Sequence, residues 1–89
     1  MAHRALEVRV AKINLDTSSL IIKRPKKRLG KSQYLKTVFK VDPLAVITGK
    51  DNRSLKLADI KVGDKVNVDF MKTQERKLLA KGITILSKV

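Results

Sequence analysis

Seven cations fall within fourteen residues, Lys23, Arg24, Lys26, Lys27, Arg28, Lys31 and Lys36, with no acid among them. Mutual repulsion makes such a cluster mildly costly to a folded chain, so stability does not call for it. A polyanion does, because each Lys or Arg that neutralises a phosphate releases a condensed counterion. Tyr34, at the exit of the segment, offers a ring on which a base could stack, and Lys40 extends the patch along the strand that follows. With only three aromatic residues in the chain, and with Phe39 and Phe70 better used in a small core, stacking on several bases is not expected. The pattern leads us to expect a non-catalytic nucleic-acid-binding protein, backbone-dominated and weakly sequence-specific, with single-stranded DNA or RNA as its partner. The alternative, from a different class, is an envelope-associated structural or interaction module whose basic loop contacts acidic lipid, polysaccharide or a protein partner. The plainest reading is a solvated loop that serves solubility alone.

Other chemistry is poorly provided for. The acids stand apart at positions 7, 16, 42, 51, 59, 64, 69 and 75, and no two are close enough in sequence to suggest a carboxylate dyad. A single histidine, His3, and the absence of cysteine leave no set for a zinc ribbon, a thiol nucleophile or a histidine cage. Gly30-Lys31-Ser32 matches the end of a phosphate-binding P-loop, but the first glycine of that pattern would fall at position 25, which is proline. Asp16, Asp42, Asp51 and Asp64 lie in turn-like sequence, where an aspartate serves by bonding nearby backbone. No enzyme, cofactor or metal site is therefore expected.

The 89 residues carry 21 Lys+Arg against 8 Asp+Glu, a formal net charge of +13, yet 43% are hydrophobic. Such a chain has enough apolar content to fold, and its length suits one domain spanning 1–89. The first residues lack the apolar run of a secretory signal. A cytoplasmic location is expected, with an exported, periplasmic one as the alternative if an upstream signal has been removed.

The elements that must carry the cations read as strands. Val66, Val68 and Phe70 alternate with Lys65, Asn67 and Asp69, the period of a half-buried strand. Leu6, Val8 and Val10 alternate too, and then the apolar phase slips to Ala11, Ile13 and Leu15, which predicts a bulge. Asp16-Thr17-Ser18-Ser19 turns the chain into Leu20-Ile21-Ile22, so residues 5–23 read as a hairpin. Pro25 and Gly30 break the basic stretch, and 23–33 is expected to be an exposed loop. Beyond it, 37–41 and 44–48 read as two strands separated by a kink at Asp42-Pro43. Residues 54–60 suit a single helical turn, 61–64 a turn, 73–76 a hairpin loop and 78–86 a last strand, with Gly82 marking a bulge or close backbone approach.

This order predicts an all-β fold, a small five- to six-stranded OB-like barrel with one short helical turn, with an SH3-like barrel as the main competitor. The run Leu57-Ala58-Asp59-Ile60-Lys61-Val62-Gly63-Asp64-Lys65-Val66, preceded by Ile47-Thr48, resembles a family of small bacterial OB-like β-barrel domains of uncharacterised function. That family carries a Leu-x-Asp-Leu-Lys-Val-Gly-Asp-x-Val type turn after a Thr-x-Ile-like strand. The resemblance covers the C-terminal half and implies a barrel without implying an activity. The basic segment departs from the family's usual, less charged character.

Overall fold

The computed structural model describes the backbone of residues 2–28 and 31–87, and the side chains of residues 3–24 and 35–87. Six strands form one sheet: β1 (Ala2–Asn14), β2 (Ser19–Arg28), β3 (Lys31–Thr48), β4 (Ser54–Leu55), β5 (Lys65–Lys72) and β6 (Leu78–Ser87). Their order is β2-β1-β5-β6-β3-β4, and the additional β2–β3 pairing closes β1, β2, β3, β6 and β5 into a five-stranded barrel, with β4 outside it. Every pairing is antiparallel except β3 with β6, which is parallel. A 3₁₀ turn at Leu57–Asp59 leads towards β5. The all-β, OB-like expectation holds.

The barrel closes because its long strands bend, and they bend where the sequence slips phase. The β1–β2 register shifts between Val10 and Lys12, at the slip in apolar alternation. A second irregularity in β1 falls between Ala5 and Val8, where Glu7 has φ 53° and donates its N–H to Asn67 Oδ1 at 2.8 Å. Left-handed backbone is unfavourable for a residue with a Cβ, so this bulge is held by its partner strand and not by local preference. Opposite Asp69 and Phe70, the β5–β6 register jumps from Gly82 to Ala80 and leaves Lys81 unpaired. The bulge expected at Gly82 is thus adjacent to it, and a Cβ on Gly82 would lie 3.3 Å from Asp69 Oδ2.

Inward-facing residues of all five barrel strands meet in one cluster, with Leu20, Ile22, Phe39, Val66, Val68 and Ile83 fully enclosed. Ile60 plugs it from the segment after the 3₁₀ turn. Asp64, fully buried, accepts the N–H of Lys61 on Oδ2 at 2.8 Å, while its main-chain carbonyl accepts the N–H of Val10 at 2.9 Å. The expected 61–64 turn is therefore a closing device that ties the chain to β1, with Gly63 at φ 94° supplying the left-handed residue it needs.

One expectation differs in kind. Residues 37–48 are not two strands but parts of a single 18-residue strand, β3, which pairs with β2 along its first part and with β6 along its second. Asp42-Pro43 is an irregularity within it, where the β3–β6 register shifts between Val41 and Val46. Asp42 Oδ1 accepts the N–H of Leu44 at 2.7 Å, and Oδ2 accepts Lys81 Nζ from the bulge in β6. Those two hydrogen bonds, the lysine first, hold the Asp42 carboxyl below the usual carboxylate range.

Candidate functional site

The cations singled out from the sequence lie on the two strands of one hairpin. Lys23 pairs in register with Lys36, Arg24 with Leu35, Pro25 with Tyr34, Lys26 with Gln33, Lys27 with Ser32 and Arg28 with Lys31. Residues 23–28 and 31–33 are therefore paired strand, and the expected exposed loop is instead a β-ribbon. The pairing overrides Pro25 because β1 accompanies β2 only as far as Arg9 opposite Lys23. Past that point one side of β2 has no neighbour, and an edge is where a strand tolerates proline.

The partner strand is bare over a matching stretch, since β6 joins β3 only at Lys40, opposite Leu79. Arg24–Arg28 and Lys31–Leu35 thus pair with each other and with nothing else, as an arm of five residue pairs standing off the barrel. At about 3.4 Å per residue this arm reaches roughly 17 Å. A two-stranded ribbon is marginal by itself, and like charges opposite one another, as at Lys23 and Lys36, weaken it further. Lysines and a proline along bare edges do guard against edge-to-edge association. Five of the seven cations, Arg24, Lys26, Lys27, Arg28 and Lys31, belong to this arm.

At the foot of the arm the outer face of β3 alternates apolar and cationic. Lys36, Val38 and Lys40 are exposed, whereas Phe39 between them is buried at 1% exposure. Leu35 is exposed on the opposite face of the ribbon. Phe39 packs on Phe70 with ring centroids 4.8 Å apart, and Phe70 in turn stacks on His3 at 5.5 Å. The side chains of Lys26, Lys27, Arg28, Lys31 and Tyr34 lie outside the described residues. Of the site expected from sequence, Lys23, Arg24, Lys36 and Lys40 are thus described in full, with Lys40 set apart at the arm's foot beside the β5–β6 hairpin.

No family model matches the chain, and no curated protein matches it. Among solved structures it is similar to CusF carrying Ag(I), with 21% identity and a TM-score of 0.66 over 96% of this chain and 97% of that one. It is likewise similar to a tryptophan-to-alanine variant of CusF from Escherichia coli with Cu(II), at 21% identity and a TM-score of 0.65, covering 97% of this chain and 92% of the other. The barrel expected from the resemblance is therefore this barrel.

These likenesses correct the functional expectation. The two CusF structures similar to this chain hold metal ions, not nucleic acid, and the reading as a nucleic-acid-binding protein with single-stranded DNA or RNA as partner is overturned. The geometry gives the physical reason: Phe39 is enclosed and Phe70 is packed against it, so neither offers bases a stacking platform, and the cations stand on a projecting ribbon instead of spreading across a barrel face. Neither the fold nor the comparisons support the cytoplasmic expectation.

Nor do the residues of this chain fit the ions seen in CusF. Ag(I) favours soft donors, and the chain offers one histidine, two methionines and no cysteine. His3 pairs with Phe70 and Met71 with Ala2, so His3 and Met71 occupy successive register positions and point to opposite faces of the sheet. No three His, Cys, Asp or Glu side chains gather among the described residues. The barrel is shared, and a matching ligand set is not found in the described part of the chain.

Proposed function

We propose that this chain is a non-catalytic, envelope-associated interaction module that docks on acidic lipid surfaces through its β2–β3 arm. The observation that carries the reading is the arm itself: a ribbon with bare edges, seven cations and no acid over 23–36, and at its foot Val38 exposed between Lys36 and Lys40. Cations beside exposed apolar side chains suit the headgroup region of an anionic membrane, where the charges meet phosphates and the apolar groups leave water. This location goes with the exported, periplasmic alternative in preference to the cytoplasm. The reading as a non-enzyme is supported by the described carboxylates, several of which are committed to backbone or ion-pair partners, as in Asp42 with Lys81 and Arg4 with Asp69. No helix among the described residues is long and apolar enough to cross a membrane.

Co-sedimentation with phosphatidylcholine vesicles, with and without phosphatidylglycerol, tests the reading. Binding is expected only with phosphatidylglycerol, and raising salt from 0.1 M to 1 M should abolish it, because the screening length falls from about 10 Å to about 3 Å. Binding indifferent to phosphatidylglycerol overturns the proposal. So does no binding at all.

A further inference from the structure

Between the foot of the arm and the β5–β6 hairpin lies a cleft of about 410 Å³, lined by Ser19, Val38, Lys40, Arg76, Lys77 and Leu78. It exists because the pairing of β6 with β3 begins at Lys40 and Leu79, so that the chain before Leu79 is not held against the edge of β3. Three of its six lining residues are cations and none is an acid. Among the described residues, neither Lys40 nor Arg76 has a side-chain hydrogen bond or an ion pair. Lys77 has Glu75 at 3.8 Å, a pair so exposed that it offsets little of the charge.

The main chain that carries Arg76 and Lys77 is tied into a hydrogen-bonded turn. Thr73 N–H donates to the Lys77 carbonyl at 2.7 Å, Arg76 N–H to the Thr73 carbonyl at 2.9 Å, and Lys77 N–H to Thr73 Oγ1 at 3.1 Å. Within this turn Arg76 takes φ 63°, a position that glycine would fill without cost. Each side of the cleft carries cationic and apolar residues, Lys40 with Val38 on β3 and Arg76 and Lys77 beside Leu78 on the hairpin, and the volume falls in the range of small-molecule sites.

We propose that this cleft binds a phosphomonoester amphiphile, with Lys40, Arg76 and Lys77 holding the phosphate and Val38 and Leu78 taking the first methylenes of its chain. A phosphomonoester carries a charge of about −1.5 to −2 at neutral pH, which suits three cations of which one is partly offset. The proposal rests on the anionic-lipid reading of the arm and deepens it by giving the docked surface a specific headgroup. Ser19 also lines the cleft, but its hydroxyl is engaged with Thr17, accepting from Thr17 Oγ1 at 2.9 Å and donating to the Thr17 carbonyl at 3.5 Å, so the phosphate is left to the three cations.

The test is NMR titration of the full chain with monomeric short-chain phosphatidate and, separately, with inorganic phosphate. The lipid should give saturable amide shifts confined to residues 19, 38–40 and 76–78. Inorganic phosphate should move the same amides with roughly tenfold weaker affinity, about the factor lost when two methylenes are not buried. Lys40→Gln combined with Arg76→Gly should weaken both ligands at least tenfold. The glycine adopts the turn conformation freely, so the variant keeps its fold, as its amide spectrum will show. Shifts that spread over all surface lysines without saturating overturn the site, as does unchanged affinity in the double variant. Equal affinity for phosphate and lipid overturns the amphiphile assignment and leaves a free-phosphate site. The arm and the cleft fail separately: loss of vesicle binding with the titration intact removes the surface reading alone, and the reverse removes the cleft alone.

Discussion

Replacing Lys26, Lys27 and Arg28 with glutamine should strip the arm of most of its membrane affinity while leaving the barrel unchanged. The three residues lie on β2 beyond Lys23, where β1 no longer accompanies it, and their only strand partners are Gln33, Ser32 and Lys31 across the ribbon. Each basic residue near an anionic bilayer contributes about 1 kcal/mol, so removing three costs about 3 kcal/mol. At about 1.4 kcal/mol per decade, the partition coefficient should fall roughly a hundredfold. Barrel cations cannot compensate, since an arm reaching roughly 17 Å holds its end further from them than a screening length of about 10 Å. The assay is vesicle co-sedimentation at 0.1 M salt, with thermal melting in parallel. An unchanged melting temperature and a hundredfold loss are expected together. A variant that still sediments as the parent does would refute the assignment of docking to the arm, and a variant that unfolds would refute the claim that the arm stands clear of the core.

Further outcomes follow from other parts of the molecule. Phe39→Ala should cost about 3–5 kcal/mol in urea unfolding, because the ring is fully enclosed and supports Phe70. Arg76→Gly should stabilise the chain by about 1 kcal/mol on the same assay, since φ 63° is unfavourable for arginine and free for glycine. Asp42 has its folded pKa depressed by Lys81 and the Leu44 N–H, so its stabilisation is complete above the ordinary value of 3.8 and disappears as pH falls through the lower folded value. An acid-unfolding series should accordingly show a flatter limb in Asp42→Asn than in the parent. Excess Ag(I) should leave the melting temperature unchanged, because ligand binding to the folded state raises it and His3 and Met71 face apart. A clear upward shift would show that the chain assembles a soft-metal site by other means.

Several elements are legible without coordinates because their signals are local. Val66, Val68 and Phe70 announce β5 by alternation, the slip from Val10 to Ala11 announces the bulge in β1, and Lys61–Asp64 announces a turn that needs a glycine. The cluster of cations is equally visible, since charge density along a chain needs no folding to be counted. The function drawn from that cluster is another matter. A run of lysines identifies an anionic partner by charge alone, and charge does not distinguish nucleic acid from a lipid surface.

Pairing decides the rest. Pro25 looks like a loop residue, yet the pairing of residues 23–28 with 31–36 makes them a ribbon, because an edge with no neighbour tolerates proline's missing N–H. Asp42-Pro43 looks like the end of a strand, yet β3 runs through it, because β2 holds one part of the strand and β6 the other. Lys40 reads as one more member of the basic run, and only its pairing with Leu79 on β6 brings it beside Arg76 and Lys77 at one cleft. The sequence by itself determined the strands, the turns and the place of the charge, which depend on neighbours along the chain. The tertiary structure alone decided which edges are bare and which cations share a site, because those depend on register between strands that are distant in sequence.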